Sequence, residues 1–163
     1  MRKSLLLLIA VAAALVLSGV PAAAQPTANL TVSAAVNARA SLTLSAAGVA
    51  FADADPDVTP NITGAPVITV TAKSRTSGGN AVTLTVQAAT ALTSGTDTIA
   101  ASNVTWPAAG DLSAGTLDTA AVTIGSWTNS GSRSGNMTFS LVNSWAYATG
   151  NYSTTVTYTL SAP

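Results

Sequence analysis

Between residues 28 and 45 the chain alternates apolar and polar side chains without a break. Leu30, Val32, Ala34, Val36, Ala38, Ala40, Leu42 and Leu44 form one set, and Asn29, Thr31, Ser33, Ala35, Asn37, Arg39, Ser41, Thr43 and Ser45 the other. A period of two is the mark of a strand with one face buried and one in water. The run is too long for one strand of a small domain, because globular strands usually hold roughly 5–6 residues. It is read as two strands in series. The first, 28–37, is able to leave the domain, and the second, 39–45, opens the domain's own sheet. A detachable strand with an apolar stripe fits an assembling subunit better than a catalyst.

The same alternation continues downstream, punctuated by turn residues. Residues 53–57 and 59–64, rich in Asp, Pro, Asn and Gly, read as loops. A strand is expected over 66–73, with Ile68, Val70 and Ala72 on one face. Ser77, Gly78, Gly79 and Asn80 form a hairpin-type turn into 81–88, where Val82, Leu84 and Val86 alternate with Thr83, Thr85 and Gln87. Residues 99–106 make a weaker strand ended by Pro107, and 108–119 a long loop. Residues 120–127 place Val122 and Ile124 inward, and 129–135 turn the chain. A strand over 136–143 carries Met137, Phe139 and Leu141 on one face, and 152–160 closes the chain with Tyr152, Thr154, Val156, Tyr158 and Leu160 in register. About seven such strands, with no helical periodicity beyond the start of the chain, predict an all-β sandwich.

The first 24 residues stand apart. Arg2 and Lys3, an apolar run over 5–17 and the small residues Ala22, Ala23 and Ala24 match a cleaved export signal, so the mature chain is expected to begin near Gln25. The apolar run is short for a bilayer span, and no membrane span is expected once it is removed. Three parts follow: a signal peptide at 1–24, an N-terminal extension at 25–37, and a sandwich domain at 38–163. The expected destination is the periplasm, in transit to the cell surface or the extracellular space.

Composition narrows the chemistry. The full chain has six basic and six acidic residues. Losing Arg2 and Lys3 leaves Arg39, Lys73, Arg75 and Arg133 against six aspartates, a net charge of about −2. That balance offers no basic patch for nucleic acid. With no His and no Cys there is no Ser-His-Asp triad, thiol nucleophile or ordinary zinc site. Neither catalysis nor a cofactor is expected. Cysteine is also absent as a staple, so stability must come from strand pairing and burial. Asp53, Asp55 and Asp57 alternate like the start of a calcium loop, but Val58 and Gly64 stand where such a loop needs Gly and Glu. Ordinary turn chemistry is the simpler reading. Trp106, Trp127, Trp145 and Tyr147 are weighed as a sugar platform against a place in the core, and the core is preferred. Five Asn-x-Ser/Thr matches, at Asn29, Asn61, Asn103, Asn136 and Asn151, are expected by chance in a chain of which about a quarter is Ser and Thr.

Four features recur in a familiar order: an alternating N-terminal extension, an Ala-rich first strand, a loop, and the strand Ile68-Thr-Val-Thr71. The closing run from Gly150 through Tyr152 to Leu160 completes the pattern. In this the chain resembles the spore coat protein U and archaic chaperone–usher pilin group. The resemblance implies an incomplete immunoglobulin-like sandwich whose missing strand comes from the next subunit, a form of β-strand addition. It makes Leu30, Val32, Ala34 and Val36 the inserted side chains. Tyr152, Val156, Tyr158 and Leu160 then border the acceptor groove, which pairs with a periplasmic chaperone before an outer-membrane usher assembles the polymer. Members of that group commonly carry a disulfide where Ser41 and Ala72 stand here.

Two functions follow from these readings. One is a non-catalytic structural subunit of a filament or coat, built as a homopolymer or with related subunits. The other is a self-contained secreted binding module, for carbohydrate or adhesion, in which residues 28–37 complete their own sandwich.

Overall fold

A computed structural model describes residues 26–163, so the expected signal peptide lies outside the described residues. The chain divides into two compact units at Ala34/Ala35, and among the described residues every strand lies in the second, Ala35–Pro163. In chain order these are β1 (Arg39–Leu44), β2 (Asn61–Thr63), β3 (Ile68–Arg75), β4 (Ala81–Ala88), β5 (Leu92–Ser94), β6 (Asp97–Ile99), β7 (Val104–Trp106), β8 (Gly115–Thr116), β9 (Val122–Thr128), β10 (Gly131–Met137), β11 (Ser140–Val142) and β12 (Val156–Ser161). A single turn of 3-10 helix, Ala101–Asn103, interrupts them. The fold is all-β, with antiparallel sheets packed as a sandwich.

Two three-stranded sheets make its body, in the orders β1-β3-β10 and β12-β4-β9. They are joined by the β3–β4 and β9–β10 connections, which lie together at one end, called here the turn pole. Asn129 adopts a left-handed conformation there (φ 69°), which its short polar side chain tolerates. Its Oδ1 accepts a hydrogen bond from Gly79 N at 2.7 Å, and Ser130 Oγ accepts one from Thr76 N at 3.1 Å. A smaller sheet, β2-β11-β7-β8, and the β5–β6 hairpin extend toward the opposite end.

The core follows from alternation. Val70 and Ala72 of β3 and Val82, Leu84, Val86 and Ala88 of β4 are fully buried, facing Ile124 and Met137. At about 1.5–3 kcal/mol for each large side chain, this burial is the main stabilising term in a domain without disulfides. Trp106 and Trp127 are also buried. Trp106 stacks edge-on to Phe139 with ring centroids 5.6 Å apart, and its Nε1 donates to the Ser113 carbonyl at 3.0 Å. Trp127 Nε1 donates to Ser74 Oγ at 3.1 Å, which satisfies a buried polar pair.

The expected strand over 136–143 is two strands. Met137 ends β10 beside β3, while β11 pairs with β2 and β7 in another sheet. Met137, Phe139 and Leu141 stay buried throughout, because period-two burial survives a change of neighbours. Residues 131–135, expected as part of a turn, belong to β10; its Ser and Gly content suits close packing against β3 rather than a reversal. The expected strand over 99–106 is likewise divided by the helical turn, and the expected 108–119 loop contributes the two residues of β8. Ser41 and Ala72 lie on opposite faces. Ser41 is exposed and pairs with Lys73, whereas the fully buried Ala72 pairs with Leu42, so their side chains do not meet as a disulfide pair would.

Candidate assembly groove

Both main sheets end in a strand that has a ladder on one side only: β1 in the first sheet and β12 in the second. These two edge strands approach each other. Beyond their closest approach the gap widens into an open groove of about 1210 Å³. One wall follows the chain after β1, from Leu44 through Val49 and Phe51 to Pro56. The other follows Tyr152, Thr154, Val156 and Tyr158, and the floor is made by Ile68, Val104, Phe139 and Leu141. The floor and the Val49, Phe51 and Val156 walls are apolar, while Asp53, Asp55, Asn143 and Asn151 also line the groove.

Local sequence explains the walls. Gly64 allows Val49 and Phe51 to pack against its backbone, where a Cβ would collide with both. The Ala50–Ala65 bridge, with backbone hydrogen bonds of 2.8 and 2.9 Å, fixes that wall to the rest of the fold. On the other wall the alternation of residues 152–160 is only half realised. Tyr152, Thr154, Val156, Tyr158 and Leu160 are all half-buried, whereas the equivalent positions of its neighbour β4 are fully covered. Tyr158 donates to Met137 Sδ at 3.6 Å, and burial pushes its hydroxyl up to about 12. A strand whose inward side chains are half-covered lacks a neighbour on one side.

Tyr152, Val156 and Tyr158 therefore line the groove. Leu160 does not: it lies farther toward the turn pole, opposite Leu84. Of the residues in the extension, Leu30 (87 % exposed), Val32 (84 %) and Val36 (70 %) have their side chains in solvent, and residues 26–38 form no strand. Ala34 is exposed as well. The alternation that predicts a strand over 28–37 is therefore present without a partner to pair with. Solitary exposed apolar residues are ordinary, but Leu30, Val32 and Val36 put three large ones in solvent within seven residues.

At the far end of the groove Trp145 is 70 % exposed, and its Nε1 donates to Asp57 Oδ1 at 3.1 Å. Asp55 Oδ1 accepts from Asp57 N at 2.9 Å, which is an Asx turn. Among the described residues no group of three His, Cys, Asp or Glu is placed to hold a metal ion. The three tryptophans do not share a surface, since two are core residues. What sequence reasoning missed is the wall at 44–56: its Ala, Gly and Val carry no periodicity, and the only signal was its lack of charge before Asp53.

Compared with family models, with curated proteins and with solved structures, the chain shows no match.

Proposed function

We propose that this protein is a non-catalytic structural subunit that polymerises by inserting its N-terminal extension into the groove of a neighbouring copy. The observation that carries the reading is the pairing of an open groove with an apolar floor and a set of exposed apolar positions of matching length. Four inward positions (152, 154, 156 and 158) line one wall, and four alternate positions (30, 32, 34 and 36) make up the stripe. Each set spans six residue steps, about 20 Å of extended chain.

Chain geometry favours a neighbour over self-insertion. Arg39 sits at the turn pole opposite Arg75, while the groove begins near Leu44, five residues and about 17 Å along β1. Val36 is only three residues before Arg39, a reach of at most about 10 Å. It therefore falls short of its own groove, and a folded-back extension would deliver at most Leu30 and Val32. That extension would also run parallel to β12, whereas a neighbour's extension can lie antiparallel, the slightly more stable pairing. The root of the donor at Arg39 and the acceptor groove thus lie at opposite poles of the domain, which suits head-to-tail assembly rather than a closed two-fold dimer.

The likeness to the spore coat protein U and archaic pilin group rests on the quoted residues and adds to this reading. It brings with it an exported, surface-displayed product and a periplasmic chaperone and outer-membrane usher as partners. An unfilled groove with an open strand edge is an aggregation hazard, so temporary cover by a chaperone has a physical motive. The competing reading, a monomeric binding module, draws on the exposed Trp145.

Size-exclusion chromatography with light scattering on two forms separates them. The chain from Gln25 is expected to give denaturant-resistant multimers. The chain from Ala38 is expected to be unstable alone and rescued by a peptide of residues 28–37. A concentration-independent, stable monomer from Gln25 would reject polymerisation and favour the binding module.

A further inference from the structure

The four cations that follow the leader all lie on one sheet. Arg39 is in β1, Lys73 and Arg75 in β3, and Arg133 in β10. Arg39 and Arg75 face each other directly across the ladder, both exposed, with Lys73 two residues away on the same face. Like charges opposite one another weaken a strand pair, so their retention at the turn pole calls for a reason outside the ladder.

The opposite pole carries the complement. Asp53, Asp55 and Asp57 are exposed in the loop that continues the groove wall, and Asp53 and Asp55 are among the residues lining the groove. The loop is held firmly. Asn143 Nδ2 donates to the Ala54 and Thr59 carbonyls at 2.9 and 3.0 Å, and Trp145 clamps Asp57. The loop backbone is therefore fixed, and one carboxylate oxygen each of Asp55 and Asp57 is held by a hydrogen bond.

The tether between donor and domain is short. Only Asn37 and Ala38 separate Val36 from Arg39. With Val36 seated at the end of a neighbour's groove, Arg39 is held within about 10 Å of that groove's mouth. An extension antiparallel to β12 leaves the groove at the pole where the aspartates stand. We propose that the Arg39–Arg75 pair of one subunit docks on the Asp53–Asp55 loop of the next. This contact fixes the rotation between successive subunits and speeds their encounter; it rests on the strand-donation reading above. About 10 Å is also the screening length at 0.1 M salt, so the attraction acts over the whole reach of the tether. Complementary charge at a rim acts chiefly on association rate.

The test is a charge swap in the full mature chain, with assembly followed by light scattering. In low salt Arg39→Glu/Arg75→Glu and Asp53→Lys/Asp55→Lys are each expected to slow assembly about tenfold or more. The chain carrying all four substitutions is expected to recover to within about threefold of the natural rate, since the same pairs meet with signs exchanged. Unchanged rates in both reversals, or a combined chain as slow as its parents, would overturn the docking contact. Arg39→Gln/Arg75→Gln, with a thermal melt for each variant, separates lost attraction from lost folding. Val32→Asp run alongside tells the two readings apart. If it stops assembly while the charge variants assemble normally, strand donation stands and the docking contact falls; if it assembles normally, both fall.

Discussion

Val32→Asp places one charge in the middle of the exposed stripe. Val32 is 84 % exposed in the free subunit, so the substitution removes almost no burial there. Surface changes of this kind alter folding stability by about 0.5 kcal/mol or less. Inserted in a neighbour's groove, the same position sits among Ile68, Phe139, Val156 and Tyr158 and the other apolar lining residues. Natural Val32 gains about 1.5–3 kcal/mol on burial, and the aspartate forfeits this. A carboxylate there also loses water with no cation among the groove-lining residues to pair with, at a cost of several kcal/mol more. The combined penalty is about 4 kcal/mol or more, close to a thousandfold in affinity for each junction. The assay is paired: a thermal melt of the monomer and light scattering of the assembled material. The expected result is a melt unchanged at dilutions where neither chain assembles, with polymer absent at concentrations where the natural chain assembles. Polymers of ordinary length would show that this stripe is not what enters the groove. A melt lowered at dilutions where neither chain assembles would show that the extension already stabilises its own domain, which also refutes the reasoning.

Three further outcomes follow from the core and the groove walls. Ser74→Ala leaves the buried Trp127 indole N–H without its acceptor and is expected to cost about 1–3 kcal/mol, read as a lower denaturation midpoint at unchanged slope. Gly135→Ala directs a Cβ at the Ala109 carbonyl oxygen and Leu112 and is expected to cost about 1–3 kcal/mol by overpacking, seen in the same denaturation experiment. Tyr158, whose hydroxyl is pushed up to about 12 by burial, favours the neutral phenol in the fold. Its contribution is fully present below pH 10, the ordinary value, and is lost as pH rises toward 12. Tyr158→Phe is therefore expected to flatten the fall in melting temperature between pH 10 and 12, relative to the natural chain. An equal fall in both would show that another group sets it.

Much of the fold was legible because alternation reports burial directly. Val82, Leu84 and Val86 were placed inward and are fully buried, whereas the turn at Ser77–Asn80, read as a hairpin, instead carries the chain from one main sheet to the other, since β3 and β4 do not pair. Alternation does not say which strand lies alongside. This is why Met137, Phe139 and Leu141 were seen as one face while the switch of sheets after Met137 was not. Residues 131–135 misled for a related reason, since Ser and Gly signal turns in isolation yet here fit against β3. In the groove, Tyr152, Val156 and Tyr158 followed from the closing strand. The 44–56 wall did not, because its contacts with Gly64 and Ala65 are long-range and leave no local pattern.

The half-buried closing strand gives the groove its energetic meaning. Val156, Tyr158 and Leu160 alternate as cleanly as their neighbours on β4, yet only the latter are fully covered. A chain selected for a self-sufficient domain without disulfides gains by closing such a face, since each large side chain left half-open forgoes about 1 kcal/mol. β1 and β12 are also sheet edges, as β10 and β9 are at the other ends of the same two sheets, and an open edge is a hazard in itself. Under the proposed strand donation, one inserted strand would cover the inward side chains lining the groove and pair the β12 edge in a single event. The stability missing from the isolated subunit would then reappear as affinity between subunits. On this argument folding and assembly are one equilibrium, and the midpoint of denaturation is expected to rise with protein concentration.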